Sequence, residues 1–298
     1  MAARKDISFQ AGGETCRGWL FLPEASKSSP PVIVLGHGLG GVKEMGLEAY
    51  AKRFTAEGYA CLIFDYRHFG ASDGEPRQVL DIKKQHQDWQ SAIDYARTLP
   101  EVDGKRVALW GTSFGGAHVL VAASRDANVE AVISQCPFTD GIASAQCIDF
   151  KSSIKLAILA LLDAAGALFG RKPIYVPLAA APGEMGLLNS YDSLSGYLAL
   201  VPKDFAFRNE AAARVLLHLI GYSPCRIASG IRSPVLMCVC ETDSVAPAEA
   251  TLRQAKKLKT AEVKVYKEGH FDIYVGYGFE QVIADQIDFL KRQVPVVS

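Results

Sequence analysis

Gly111-Thr112-Ser113-Phe114-Gly115-Gly116 holds a serine with glycine two residues before it and two after. An apolar run, Val107 to Trp110, leads straight into it, and a helical stretch, Phe114 to Ala123, leads straight out. A serine on a tight strand-to-helix turn is the geometry of a nucleophile elbow. Such a turn holds the serine in a backbone conformation few residues tolerate, and small neighbours leave room for it and for substrate. The helix that follows aims its free N–H groups and positive dipole end at an oxyanion. Serine is a weak nucleophile and needs a base. The C-terminal part offers His270, in Lys267-Glu268-Gly269-His270-Phe271-Asp272, just past the strand-like run Val263 to Tyr266. Loops at the carboxyl ends of strands are where ligands meet an open α/β sheet. Asp243, just beyond the run Val235 to Cys240, is the carboxylate expected to hold His270 in its working tautomer. Glu241 and Asp140 compete for that part, while Asp272 stands too close in sequence to His270. A second oxyanion donor is expected from the loop His37-Gly38-Leu39-Gly40-Gly41, so the N–H groups of Leu39 and Phe114 form the expected pair. His37 itself reads as a structural loop residue.

These residues need a scaffold, and the order of elements supplies one. Strand-like runs are expected at Ile7 to Phe9, Gly18 to Leu22, Val32 to Leu35, Tyr59 to Phe64, Arg106 to Trp110 and Ala131 to Ser134. Helical stretches run from Leu47 to Glu57, Val79 to Thr98 and Phe114 to Ala123. Short continuous apolar runs suit central strands covered on both faces. The alternation predicts an α/β fold with a mostly parallel central sheet and helices on both faces. It breaks near Asp140 and resumes at Val235 to Cys240, followed by a helix near Pro247 to Leu258, a strand at Val263 to Tyr266 and a last helix from Gly276 to Arg292. Residues 1–139 and 230–298 therefore form the expected core, and residues 140–229 an inserted helical cap (lid) over the sheet edge. The apolar run Ile154 to Phe169 reads as a buried or lid helix, and Tyr175, Tyr191 and Tyr197 as aromatics lining a pocket or packing the cap.

Composition narrows the partners. The 298 residues carry 32 basic and 32 acidic side chains, 49% hydrophobic and 21% charged residues. That balance gives no electrostatic footprint for nucleic acid or an anionic membrane, and a small molecule is the expected partner. A neutral, slightly apolar surface permits association, including a homodimer. The seven cysteines show no metal spacing and read as small buried hydrophobes, with reduced thiols pointing to a cytoplasmic protein. Met1 to Gln10 lacks the apolar run of a signal peptide. Ile154 to Phe169, with Lys155 and Asp163 inside it, is shorter than the ~20 residues of a membrane span. His86, His118 and His218 read as packing or solvated residues. The glycines at 36, 38, 40 and 41 depart from a dinucleotide-binding loop. The expected chemistry asks for no metal and no organic cofactor.

The sequence resembles the alpha/beta-hydrolase superfamily over nearly its whole length. The resemblance rests on His37-Gly38-Leu39-Gly40-Gly41, on Asp65-Tyr66-Arg67-His68-Phe69-Gly70-Ala71-Ser72-Asp73-Gly74, on the Ser113 elbow, and on Asp243 and His270. It implies structural roles for Asp65 and Arg67 and places His68 and Phe69 at a pocket rim; Phe69 and Tyr175 are the substrate-binding candidates. The stretch Arg171-Lys172-Pro173-Ile174-Tyr175-Val176-Pro177, with Pro182-Gly183-Glu184, is similar to a branch of Xaa-Pro dipeptidyl-peptidase-like hydrolases that includes fungal polyketide transferases and secondary-metabolite hydrolases. The expected activity is a serine hydrolase that cleaves an ester or thioester of a small, largely apolar acyl compound through an acyl-enzyme. The branch resemblance implies, as an alternative, an acyltransferase that passes a polyketide-like acyl group to an alcohol or amine. A non-hydrolytic binding or isomerising protein on the same fold is the third reading.

Overall fold

Gly12 and Gly13 fold the N-terminus of this computed structural model, which describes residues 3–24 and 28–297, into a hairpin. Met1 and Ala2, part of the stretch read for a leader, lie outside the described residues. The hairpin joins β1 (Ala3–Ala11) to β2 (Glu14–Leu22) in unbroken antiparallel register, from Ala3 opposite Leu22 to Ala11 opposite Glu14. Both loop residues have positive φ, 56° and 87°, which a two-residue turn of this kind requires and glycine supplies. The strands are therefore longer than the short runs at Ile7 and Gly18 suggested.

Strand and helix then alternate through β3 (Pro31–Gly36), α1 (Leu47–Ala56), β4 (Ala60–Phe64), α2 (Ile82–Thr98), β5 (Asp103–Thr112), α3 (Phe114–Arg125) and β6 (Val129–Gln135). Helix α2 starts later than its apolar pattern suggested, because the Asp81 carboxylate caps it, accepting from the N–H groups of Lys83 (2.8 Å) and Lys84 (3.0 Å). After β6 the chain leaves the sheet through α4 (Gly141–Ala145), α5 (Phe150–Leu168), β7 (Tyr175–Pro177), α6 (Ser193–Ala199), β8 (Glu210–Ala212), α7 (Leu216–Leu219) and α8 (Pro224–Ile227). Strands β7 and β8 pair with each other in a small separate sheet. The chain returns as β9 (Val235–Cys240), α9 (Ala248–Ala255), β10 (Ala261–Tyr266) and α10 (Gly276–Gln293).

The eight-stranded sheet runs β1-β2-β4-β3-β5-β6-β9-β10, antiparallel at the hairpin end and parallel from β4 onward. Every residue of β3, β4 and β9 is buried, which is why these strands read as continuous apolar runs. Strand β9 pairs directly with β6, so the whole excursion begins and ends on neighbouring strands. Its last part, α8 with the buried Cys225, already packs on α3 of the core.

The loop after β4 is held by buried charge pairs. Asp65 accepts from Lys43 Nζ (2.6 Å), the Lys43 N–H (2.7 Å) and the Ala71 N–H (2.9 Å), and Arg67 pairs with Asp88 on α2. This agrees with structural roles for Asp65 and Arg67. Of the two readings of α5, a buried helix or a lid helix, the buried one needs correction. Its Ile154, Ile158, Leu161 and Leu168 are exposed, while Ser152, Leu156, Ala160 and Asp163 face inward. Asp163 decides the orientation, because its carboxylate accepts from Arg214 Nε (2.8 Å) and the Ile174 N–H (2.8 Å) and so turns the apolar stripe outward.

Candidate functional site

Ser113 sits between β5 and α3 at φ 54° and ψ −115°, a conformation that costs about 1–3 kcal/mol for a residue with a Cβ. The flanking glycines make the turn possible. A Cβ at Gly111 would lie 2.2 Å from the Gly115 carbonyl oxygen, and one at Gly115 would lie 2.4 Å from the His37 carbonyl oxygen. The strain aims the Ser113 side chain out of the sheet edge, where its Oγ lies 3.1 Å from His270 Nε2. His270 Nδ1 lies 2.8 Å from Asp243 Oδ2. A carboxylate only accepts, so Nδ1 carries a proton in either charge state, and in the neutral ring Nε2 is the acceptor for Ser113. Asp243 is itself fixed, its Oδ1 accepting from the N–H groups of Val245 (2.9 Å) and Ala246 (2.6 Å).

Both partners are buried, their side chains 3% and 2% exposed for His270 and Asp243. Burial disfavours the imidazolium, but the Asp243 charge, the neighbouring Cys136 and the Asp243 hydrogen bond together outweigh it, and the His270 pKa is pushed up to about 9. The competing carboxylates stand elsewhere. Asp140 caps α4 through the Ala143 N–H (3.2 Å) and accepts from Gln254 (2.9 Å), and Glu241 is exposed to solvent.

The loop after β3 runs against the nucleophile: a Cβ on Gly38 would lie 2.9 Å from that of Ser113. His37 holds this loop. Its Nδ1 accepts from the Gly38 N–H (2.7 Å), which leaves Nε2–H to donate to the Met45 carbonyl (2.8 Å). Burial drives its pKa down to about 4, so the ring is neutral. The Gly38 carbonyl accepts from the Gly41 N–H (3.2 Å). In a trans peptide the N–H points opposite the carbonyl, so this bond fixes the direction of the Leu39 N–H. Phe114 occupies the first position of α3, where an N–H has no intrahelical acceptor. Leu39 and Phe114 both line the cavity that Ser113 faces.

That cavity has an apolar wall from the cap, built by Ile148, Leu187, Leu188, Leu216, Leu219 and Ile220. Phe138 and Val245 add to it from the core side, and Ser144, Asn189, Ser190, Ser193 and Ser244 supply polar groups. The aromatic residues expected there are absent from the lining. Phe69 is buried in the core, and His68 turns its Nδ1 to the Pro76 carbonyl (3.0 Å). Tyr175 donates to the Arg77 carbonyl (3.0 Å), and Tyr191 is exposed. The part of the wall that the cap supplies is aliphatic, from the loop residues Ile148, Leu187 and Leu188 and from Leu216, Leu219 and Ile220 on and just after α7. Among the described residues no group of three or more His, Cys, Asp and Glu is placed to hold a metal ion. No helix among them is long and apolar enough to cross a membrane.

Two cap contacts went unseen in the sequence. Tyr197 on α6 donates to the Leu39 carbonyl (2.7 Å) and so ties the cap to the loop after β3. Ser244, next to Asp243, donates to Asp192 Oδ1 (2.5 Å) and meets Ser190 Oγ (2.8 Å), tying the cap to the acid loop. No spacing rule links residues so far apart in the chain; only Ser244 had a signal, its place beside Asp243. Replacing Tyr197 by phenylalanine leaves the buried Leu39 carbonyl unpartnered, at a cost of about 1–3 kcal/mol. The expected result is a roughly tenfold lower kcat/KM with an unchanged fold, measured by steady-state kinetics beside circular dichroism.

The parallel sheet, the strained serine turn and the inserted cap define an alpha/beta hydrolase. Residues 27–274 match the family described as serine aminopeptidase, S33, and the chain belongs to that family. It is 53% identical to the quorum-quenching protein AidA of Acinetobacter baumannii (strain MDR-ZJ06), over 98% of this chain and 95% of that one. It is 30% identical to the polyketide transferase grgF of Penicillium sp, over 98% and 97% of the two chains. The crystal structure of the alpha/beta hydrolase GrgF from Penicillium sp. sh18 superposes with a TM-score of 0.83 at 29% identity, covering 98% of this chain and 99% of that one. The thiohydrolase aneE of Aspergillus aculeatus (strain ATCC 16872 / CBS 172.66 / WB 5094) is 29% identical, over 94% and 90%. The chain is thus an enzyme of the alpha/beta-hydrolase class whose relatives include a polyketide transferase and a thiohydrolase.

Proposed function

We propose that the protein is a serine hydrolase that cleaves an ester or thioester of a small, largely apolar acyl compound. The observation that carries this reading is the continuous chain Ser113–His270–Asp243, at 3.1 Å and 2.8 Å, opening on a largely apolar cavity. His270 Nε2 takes the Ser113 proton as Oγ attacks the carbonyl carbon. The N–H groups of Leu39 and Phe114 stabilise the oxyanion, each such donor being worth about 2.7–4 kcal/mol in the transition state. His270 then returns the proton to the leaving alkoxide or thiolate, and Ser113 is left acylated. A water molecule deprotonated by His270 releases the acid and restores Ser113.

An open ester, a cyclic ester and a thioester all present the same carbonyl to this sequence of steps. The thiohydrolase relative supports a thioester substrate, and the quorum-quenching relative a small signal molecule. A second reading is supported by the polyketide transferase relative: an alcohol or amine replaces water and takes the acyl group. The apolar cap wall favours it, because a cavity poor in water lets another acceptor compete for the acyl-enzyme.

A fluorophosphonate probe tests the nucleophile. The unaltered protein should label once, at Ser113, and Ser113→Ala should not label; absence of labelling in the unaltered protein would overturn the assignment. Turnover of esters, lactones and thioesters of graded chain length, with and without added alcohols and amines, separates the two activities. Free acid as the sole product supports the hydrolase, and a dominant transfer product supports the transferase.

A further inference from the structure

Helix α5 turns an unusually apolar face to solvent. Phe150, Ile154, Ile158, Leu161, Leu168 and Phe169 are 78%, 47%, 53%, 60%, 85% and 80% exposed. Taking ~200 Å² for a fully exposed side chain of this size, they present on the order of 800 Å² of apolar surface. The largest apolar patch on a soluble monomer is typically about 300–600 Å², whereas one partner of a standard protein interface contributes about 800 Å². The face is fixed outward. Turning it inward would pull Asp163 off Arg214 and the Ile174 N–H and leave a buried ion unpaired.

We infer that this face is the seat of a second copy of the chain, the two α5 helices crossing antiparallel about a two-fold axis near Leu161. Three features favour a second copy. Ile154, Ile158, Leu161, Ala165 and Leu168 recur at alternating spacings of four and three residues, the seam that packs one helix against another. An axis through Leu161 sets Ile154 opposite Leu168 and Ile158 against the small Ala164–Ala165 step, so large side chains meet one another or a small one and the surface can pack on itself, as a two-fold interface must. The exposed area is what one partner of such an interface buries.

The same geometry separates a second copy from an anionic partner, whether a lipid surface or an acidic protein. The exposed charges flanking the stripe, Lys151, Lys155, Arg171 and Lys172, are all basic. Antiparallel pairing brings the first two of one copy toward the last two of the other. The contact is then apolar at its centre and mutually repulsive at its rim. Added salt screens the rim and tightens such a dimer, whereas it loosens attachment to an anionic surface.

The inference is independent of the reading of the active site. Sedimentation equilibrium of the full chain should give twice 32.2 kDa, with dissociation that weakens as salt rises. The double variant Ile158→Glu, Leu161→Glu should sediment as a monomer with an unchanged far-ultraviolet spectrum, since both side chains lie outside the monomer's core. Leu161→Cys should form a crosslinked dimer with a short bis-maleimide, and Phe150→Cys should not, since the axis passes near the first and far from the second. A monomeric unaltered protein at about 100 μM, a double variant that remains dimeric, crosslinking at position 150 in place of 161, or salt-sensitive binding to phosphatidylglycerol vesicles by a protein monomeric in solution would each overturn it.

Discussion

Ser113→Ala is expected to lower kcat by about 10⁵–10⁶-fold on any ester or thioester the protein turns over, a loss of roughly 7–8 kcal/mol of transition-state stabilisation. The size follows from the arrangement. Without Oγ there is no acyl-enzyme, and His270 has nothing to deprotonate except water in a position built for a side chain. The oxyanion donors we propose are backbone groups of Leu39 and Phe114, which the substitution leaves in place, so about 10³–10⁴-fold acceleration over water should remain. The fold should survive as well, because the side-chain bond lost is the one to His270. Alanine still has a Cβ at a strained φ, so the turn is no more relaxed than before. Steady-state kinetics on one substrate decides the matter: residual activity above about one part in a hundred would show that another group attacks.

Asp243→Asn carries the second large effect, about 10⁴-fold in kcat/KM, and its cause lies in which oxygen is already engaged. Asp243 Oδ1 accepts two backbone N–H bonds, from Val245 and Ala246. In the asparagine variant the amide oxygen stays there, because an NH₂ group cannot accept. The NH₂ then faces His270 and donates to Nδ1, which forces the proton to Nε2. Nε2–H cannot accept from Ser113, so the base is in the wrong tautomer. The pH profile should shift at the same time. In the unaltered protein His270 works only when neutral, and its pKa is raised, so kcat/KM should fall as pH drops through a limb above 6.5 and toward 9. Removing the Asp243 charge removes the main influence that raises that pKa, and burial remains, so the limb of the residual activity should move to lower pH. A limb that stays in place would mean that Asp243 does not set the His270 charge.

Much of this site was legible because it is built from local rules. The Ser113 turn is a strand, a strained residue and a helix in direct succession, and glycines at 111 and 115 are demanded by carbonyl oxygens at 2.2 Å and 2.4 Å from where a Cβ would stand. His270 and Asp243 follow strands whose apolar runs are plain, and β9 was read to its last residue at both ends. The choice between Asp243 and Glu241 was harder, since either follows β9 within a few residues; burial beside His270 separates them. The cap was less legible. Its apolar stripe on α5 looks the same in sequence whether it faces core or solvent, and one inward Asp163 with its distant partner Arg214 decides between them. Tyr197 and Phe69 show the same limit: one reaches the loop after β3 and the other turns into the core, and neither neighbourhood has a local signature.

Strands β6 and β9 are hydrogen-bonded neighbours, although the cap separates them in sequence. To the sheet, the whole excursion is therefore one crossover connection, and its length changes no strand pairing. The apolar wall residues Ile148, Leu187, Leu188, Leu216, Leu219 and Ile220 thus lie on one continuous stretch of chain that holds none of Ser113, Asp243 and His270. The passage is nonetheless pinned to the core at several separate points: Tyr197 on the Leu39 carbonyl, Ser244 on Asp192, Tyr175 on the Arg77 carbonyl, Gln78 on the Glu210 carbonyl, and Tyr222 on His118.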